Sequence, residues 1–93
     1  MRIVYTNQVK RDMKRMLKRG KSTRAFEDVA DRLIASKKLL PKHKDHPLVG
    51  EWKGSRDCHI EPDWILIYTK CKDQSDHNML IFERTGSHSD LFL

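Results

Sequence analysis

The chain has 93 residues, 38% apolar and 34% charged, enough for one small domain over residues 1–93 with a thin core. Nineteen Lys and Arg against thirteen Asp and Glu leave a net charge of +6, which suits a polyanion or an acidic protein as partner. No stretch reaches membrane-spanning length, MRIVYTNQVK turns polar too soon for a signal-peptide core, and two cysteines make no secreted disulfide framework, so no membrane contact and a cytosolic protein are expected.

RIVY reads as a short first strand, rich in β-branched and aromatic residues. Thr6 or Asn7 can cap a following helix by accepting from a free backbone N–H. Val9, Met13, Met16 and Leu17 form its apolar stripe. Lys10, Lys14 and Lys18 make one i,i+4 row and Arg11, Arg15 and Arg19 a second, so the first helix is apolar on one side and basic on the other. Gly20 ends it. Ser22 or Thr23 caps a second helix with the stripe Phe26, Val29, Ala30, Leu33 and Ile34, finishing at Lys37 and Lys38, which suit the negative end of a helix dipole. The short join predicts an antiparallel pair of helices.

Residues 41–50, PKHKDHPLVG, read as loop. After Gly50 the texture changes to strands: EWKG, RDCHI, then WILIYTKC, whose unbroken apolar run predicts a central strand covered on both sides. CKDQSDHN is a polar hairpin loop, MLIFERT the last long strand, and GSHSDLFL closes the chain. The order predicts an α+β fold, two N-terminal helices packed on an antiparallel sheet of four to five strands.

Titratable residues crowd into DCHIEPDW, residues 57–64, with His43, His46, His77, Arg84 and His88 elsewhere in the sheet half. A metal site is poorly supported: Cys58 and His59 are adjacent in a strand and point to opposite faces, and there is no CxxC or HExxH. A strand cysteine is more often buried packing than a nucleophile. Acid–base cleavage of RNA fits better. There the ribose 2′-OH attacks the neighbouring phosphate, one group takes the 2′ proton, another protonates the leaving oxygen, and a cation steadies the charge on phosphorus. Histidine suits both proton roles, a carboxylate can serve as base, and arginine presents a planar fork to phosphate. Each residue alone has a blander reading: Asp63 closes a turn, Trp64 is core, His43 and His77 are solvated, Arg84 pairs with Asp63 or Glu61, Phe92 anchors the terminus, and the basic rows are a solvated face. The combination favours chemistry.

The run KDHPLVGEWKGSRDCHIEPDWILIYTK followed by ERTGSHSDLF closely resembles the YafQ branch of the RelE-like toxins of type II toxin–antitoxin systems. HxEPDW and RTGSHSDLF are its specific segments; the first forty residues match only in arrangement. The resemblance implies a metal-independent ribonuclease, without cofactor, that cuts mRNA in the ribosomal A site. It implies functional residues at His46, His59, Asp63, Trp64, Arg84, His88 and Phe92. His59, Asp63 and His88 would transfer protons, Arg84 would hold the scissile phosphate, and His46 would be catalytic or orient substrate. Trp64 and Phe92 would shape the site or stack on a base. Lys10, Arg11, Lys14 and Arg15 become candidates for rRNA phosphates. A cognate antitoxin is implied, with operator DNA bound only through that complex. The loop CKDQSDHN departs from the family by its length, and RelE itself uses a more Lys- and Arg-based site. Two other readings stay open: a basic module that binds RNA or the ribosome without cutting, and a partner for an acidic protein.

Overall fold

A computed structural model describes residues 1–92. The elements run β1 (Arg2–Tyr5), α1 (Asn7–Lys18), α2 (Thr23–Ile34), β2 (His46–Pro47), β3 (Arg56–Glu61), β4 (Trp64–Lys72), β5 (Asn78–Gly86) and α3 (His88–Phe92). The five strands form one sheet in the order β1-β5-β4-β3-β2. The fold is α+β as expected, but the sheet is mixed: β1 pairs parallel to β5, while every other pairing is antiparallel. The reason is topological. β1 reaches the far edge of the sheet before α1 and α2 cross back over it, and such a crossover permits a parallel neighbour where a hairpin does not.

Thr6 is the N-cap of α1: its Oγ1 accepts from Val9 N (3.0 Å) and donates to Glu83 O (2.8 Å), so the cap also ties the helix to β5. Gly20, at φ +89°, ends the helix, with Lys21 N donating to Met16 O and Gly20 N to Leu17 O. Val9 and Met16 are buried, whereas Leu17 is 42% exposed; the third buried residue of α1 is Asp12. Ser22 caps α2, which ends at Ile34 rather than at Lys37 and Lys38 because Ser36 turns left-handed (φ 57°). Phe26, Val29, Ala30 and Leu33 pack with Val9 and Met16 on Cys58, Ile60, Trp64, Leu66, Tyr68, Leu80 and Phe82. This core lies between the two helices and one face of the sheet.

β4 is the central strand, and Trp64 through Tyr68 are all buried, as its double-sided apolar run predicts. EWKG is not a strand: Gly50–Trp52 form a 3-10 turn. HP in the preceding loop is the two-residue strand β2.

Two bulges decide what faces where. Between β4 and β5 the register steps from Ile67↔Arg84 to Tyr68↔Phe82, leaving Glu83 as the extra residue. Phe82 and Arg84 are two apart on one strand, yet the bulge puts them on opposite faces, Phe82 with the core and Arg84 with Ile67. Between β3 and β4 the extra residue is Ile60, just before the two-residue turn Pro62–Asp63 that joins Glu61 to Trp64.

Candidate active site

The pairings align His46, Asp57, Ile67 and Arg84 in one row across β2, β3, β4 and β5. Directly opposed residues share a face, so this row lies on the side of the sheet away from the helix-packed core. The next row is His59, Ile65 and Gly86. His88 begins α3 two residues beyond Gly86.

α3 is held by a reciprocal cap. Ser87 N donates to Asp90 Oδ2 (2.9 Å) and Asp90 N to Ser87 Oγ (3.1 Å). Asp90 also takes two hydrogen bonds from Arg19 (2.6 and 3.1 Å), and it is held well below the usual carboxylate range by Arg19 and the Ser87 N–H. Gly86 is needed here: a Cβ would come within 2.9 Å of the Asp90 Cβ.

The turn after β3 brings Asp63 to the start of α3. Asp63 Oδ1 accepts from His88 Nδ1 (3.0 Å) and from the His88 backbone N–H (3.1 Å), and these bonds draw its carboxyl below the usual range. His59 Nδ1 lies 3.2 Å from the Pro62 carbonyl. A carbonyl can only accept, so Nδ1 carries the proton and the neutral ring presents the lone pair of Nε2. The His59 and His88 rings stand edge to face with centroids 5.5 Å apart, and Phe92 is 6.1 Å from His88.

His46 Nδ1 faces the Pro47 carbonyl (3.1 Å), and its Nε2 lies 2.7 Å from Asp57 Oδ1. Both ring nitrogens thus face acceptor oxygens. Asp57 is buried, and Oδ1 has no well-directed hydrogen bond among the described residues. Burial pushes its carboxyl up, against the pull of His46, His59 and His88. The loop before His46 is pinned by Asp45, which accepts from Tyr68 Oη (2.5 Å) and Arg56 Nε (3.2 Å).

The site therefore gathers His46, His59, Asp63 and His88, with Phe92 42% exposed at its rim. Arg84 shares the row of His46, but it pairs with neither Asp63 nor Glu61; its partner is the buried Asp12 of α1. Trp64 corrects an expectation: it is fully buried on the core side, its indole N–H donating to Thr85 Oγ1 (2.8 Å), so it cannot stack on a base. Arg15 is half-buried and tied to Asp12, unlike the exposed Lys10, Arg11 and Lys14. His43 is not solvated; it is buried and its Nδ1–H donates to His59 O (2.8 Å), steadying β3 at the site. His77 is exposed in its loop.

Asp12, His43 and Asp57 were not legible as site residues. Asp57 stands inside the DCHIEPDW cluster, but only its opposition to His46 gives it a role. Asp12 had one signal, being the only acid before Glu27 in a strongly basic segment. Among the described residues no group of three or more His, Cys, Asp or Glu is arranged to hold a metal ion.

The family model described as the bacterial toxin of type II toxin–antitoxin systems, YafQ, matches residues 1–93. The chain belongs to the YafQ toxin family. Among YafQ proteins, the mRNA interferase toxin YafQ of Escherichia coli (strain K12) is 47% identical over 91 residues, covering 97% of this chain and 94% of the relative. The crystal structure of YafQ from E. coli strain BL21(DE3) matches with a TM-score of 0.88 at 42% identity, covering 100% of both chains. YafQ in the E. coli DinJ–YafQ toxin–antitoxin complex matches at 0.84 and 44% identity, covering 98% of this chain and 96% of that one.

Proposed function

We propose that the protein is an mRNA endoribonuclease that acts on the ribosome and stops translation. His59 takes the 2′ proton through Nε2 as the 2′-oxygen attacks phosphorus. His88 gives the proton of its Nε2 to the departing 5′-oxygen as the P–O5′ bond breaks, leaving a 2′,3′-cyclic phosphate and a 5′-hydroxyl. The observation that carries this reading is the pair of facing rings with different partners. His59 rests on a carbonyl, which leaves a basic nitrogen when the ring is neutral. His88 rests on a carboxylate, which fixes the ring by its Nδ1 edge and turns Nε2 away from Asp63. Each proton-transfer group of this kind contributes roughly 10²–10⁴-fold in rate.

Asp63 orients His88 and balances its charge. The His46–Asp57 pair sits beside them as a second candidate for the base. Arg84 offers its guanidinium to the scissile phosphate, and Phe92 stacks on a base at the rim. Protons and charge stabilisation all come from side chains, so the step needs no metal. The exposed Lys10, Arg11 and Lys14 are suited to rRNA phosphates, and among the described residues no helix is long and apolar enough to cross a membrane. The cytoplasm, where ribosomes are, is the corresponding location. Because the E. coli relative forms a complex with DinJ, an antitoxin is expected to cover the site here as well, with operator DNA met only through that complex.

The test is a primer-extension map of a translated mRNA in a reconstituted ribosome system, comparing wild type, His88→Ala and EDTA-treated protein. Discrete cuts in frame with codons, kept after EDTA and lost in the variant, are expected. Intact mRNA with the protein still bound to ribosomes would replace the reading with that of a non-catalytic basic module.

A further inference from the structure

Arg84 is the cation that the proposed reaction requires, and this inference rests on that reading. An arginine side chain on a strand is long and free to turn, so something must fix it. That something is Asp12, 72 residues away in sequence and fully buried. Arg84 Nε donates to Asp12 Oδ2 (2.9 Å) and Nη2 to Oδ1 (3.2 Å). The side-on fork occupies one edge of the guanidinium. Nη1 has no hydrogen-bond partner among the described residues and remains available to a phosphate oxygen.

The same carboxylate also fixes the backbone on which Arg84 stands. β1 pairs with β5 only as far as Tyr5↔Phe82, and Thr6 N still donates to Phe82 O. Past that point the strand edge has lost its neighbour. The Thr85 N–H points into the gap and is taken by Asp12 Oδ2 (3.1 Å). Gln8 Nε2 (3.1 Å) and Arg15 Nη2 (3.0 Å) complete the set on Oδ1 from the same helix. Two residues away, the Thr6 cap binds Glu83 O at the bulge that puts Arg84 on the site face. A buried charge with five donors is costly to dismantle, and here it spans helix, strand and site.

We infer that Asp12 is a positioning residue for Arg84: it holds the guanidinium by its Nε edge, beside the backbone it also clamps, so that the remaining edge meets the scissile phosphate. Burial alone would raise the Asp12 carboxyl, but the hydrogen bonds from Arg84, Thr85 N–H and Gln8 outweigh it and keep the group ionised.

The experiment is a double-mutant cycle in single-turnover cleavage of ribosome-bound mRNA, using Asp12→Asn, Arg84→Ala and the double variant, with thermal melting of each. Asp12→Asn should slow cleavage at saturating ribosomes by roughly tenfold to a hundredfold, the cost of a misplaced group, with ribosome affinity unchanged. In the Arg84→Ala background it should change the rate less than about twofold, because residues that act as one unit are not additive. A merely structural Asp12 would slow both backgrounds alike, and that result overturns the inference, as does cleavage by Asp12→Asn at the wild-type rate. A second arm needs neither a folded variant nor nuclease activity. In the wild-type protein the Arg84 Nε–H nitrogen-15 signal should exchange with solvent at least about tenfold more slowly than that of Arg11, and should shift on titration with a 2′-deoxy dinucleotide, which lacks the attacking hydroxyl. Fast exchange or an unmoved signal overturns the inference. If the wild type leaves mRNA intact on the ribosome, the nuclease reading fails by itself, and this arm still decides whether Asp12 holds Arg84 for a phosphate.

Discussion

Two histidine–carboxylate pairs meet in this site, and their carboxyls are pushed in opposite directions. Asp57, opposite His46, is buried between β2 and β4, and desolvation raises its proton affinity. Asp63, beside His88, is exposed at a turn, and two hydrogen bonds from one residue lower it. The same two side-chain types thus stand in opposite settings, one carboxyl raised by burial and the other lowered by hydrogen bonds. Environment, not residue type, separates the two carboxyls.

The largest way to break the comparison is to remove the ring beside Asp63. His88→Ala should cost roughly 10²–10⁴-fold in cleavage rate while leaving the melting temperature within about 2 °C, since the ring is mostly exposed. If His46→Ala proves equally damaging and His59→Ala harmless, the base is His46 and the two roles must be reassigned.

Asp57→Asn sharpens the contrast because activity and stability should part. A carboxyl raised in the fold contributes stability that is complete below its usual value of about 3.8 and is lost as pH rises through the folded value. At neutral pH ionised Asp57 therefore costs stability. Removing it should raise the melting temperature by about 2–8 °C at pH 7, a gain that vanishes near pH 3, while slowing cleavage. A melting temperature lower than wild type at pH 7 would show that the His46 contact outweighs the burial.

Phe92 and Trp64 form a second contrast, exposed ring against buried ring. Phe92→Ala should weaken substrate binding by about 1–3 kcal/mol without unfolding the chain. Trp64→Phe should leave cleavage nearly unchanged and cost about 1–2 kcal/mol of stability through the lost bond to Thr85. Substrate affinity that falls in Trp64→Phe at unchanged stability would return the indole to the site.

The smallest effect is on acid stability. Asp12 and Asp90 are held below the usual carboxylate value, so their contribution is complete above about pH 4 and drains away as pH falls through their folded values. Melting scans from about pH 5 to about pH 3 should show a steep fall, less steep in Asp90→Asn. A slope unchanged in the variant would mean that the Arg19 pair adds nothing to the fold.

The sequence by itself determined what is local. Apolar stripes set α1 and α2, the capping pairs Thr6/Asn7 and Ser22/Thr23 set their starts to within a residue, and the doubly apolar run of β4 set the centre of the sheet. HxEPDW and RTGSHSDLF pointed to the family and, through that resemblance, to His59, Asp63 and His88. Only the tertiary structure decided the rest. The parallel seat of β1, the opposition of His46 to Asp57 and the reach of Asp12 to Arg84 each join segments far apart in sequence, about which periodicity is silent. The bulge at Glu83 is the sharpest case. Strict alternation would place Arg84 with Phe82 in the core; one extra residue puts it on the site face, because strand side chains alternate and a single-residue slip inverts every face beyond it.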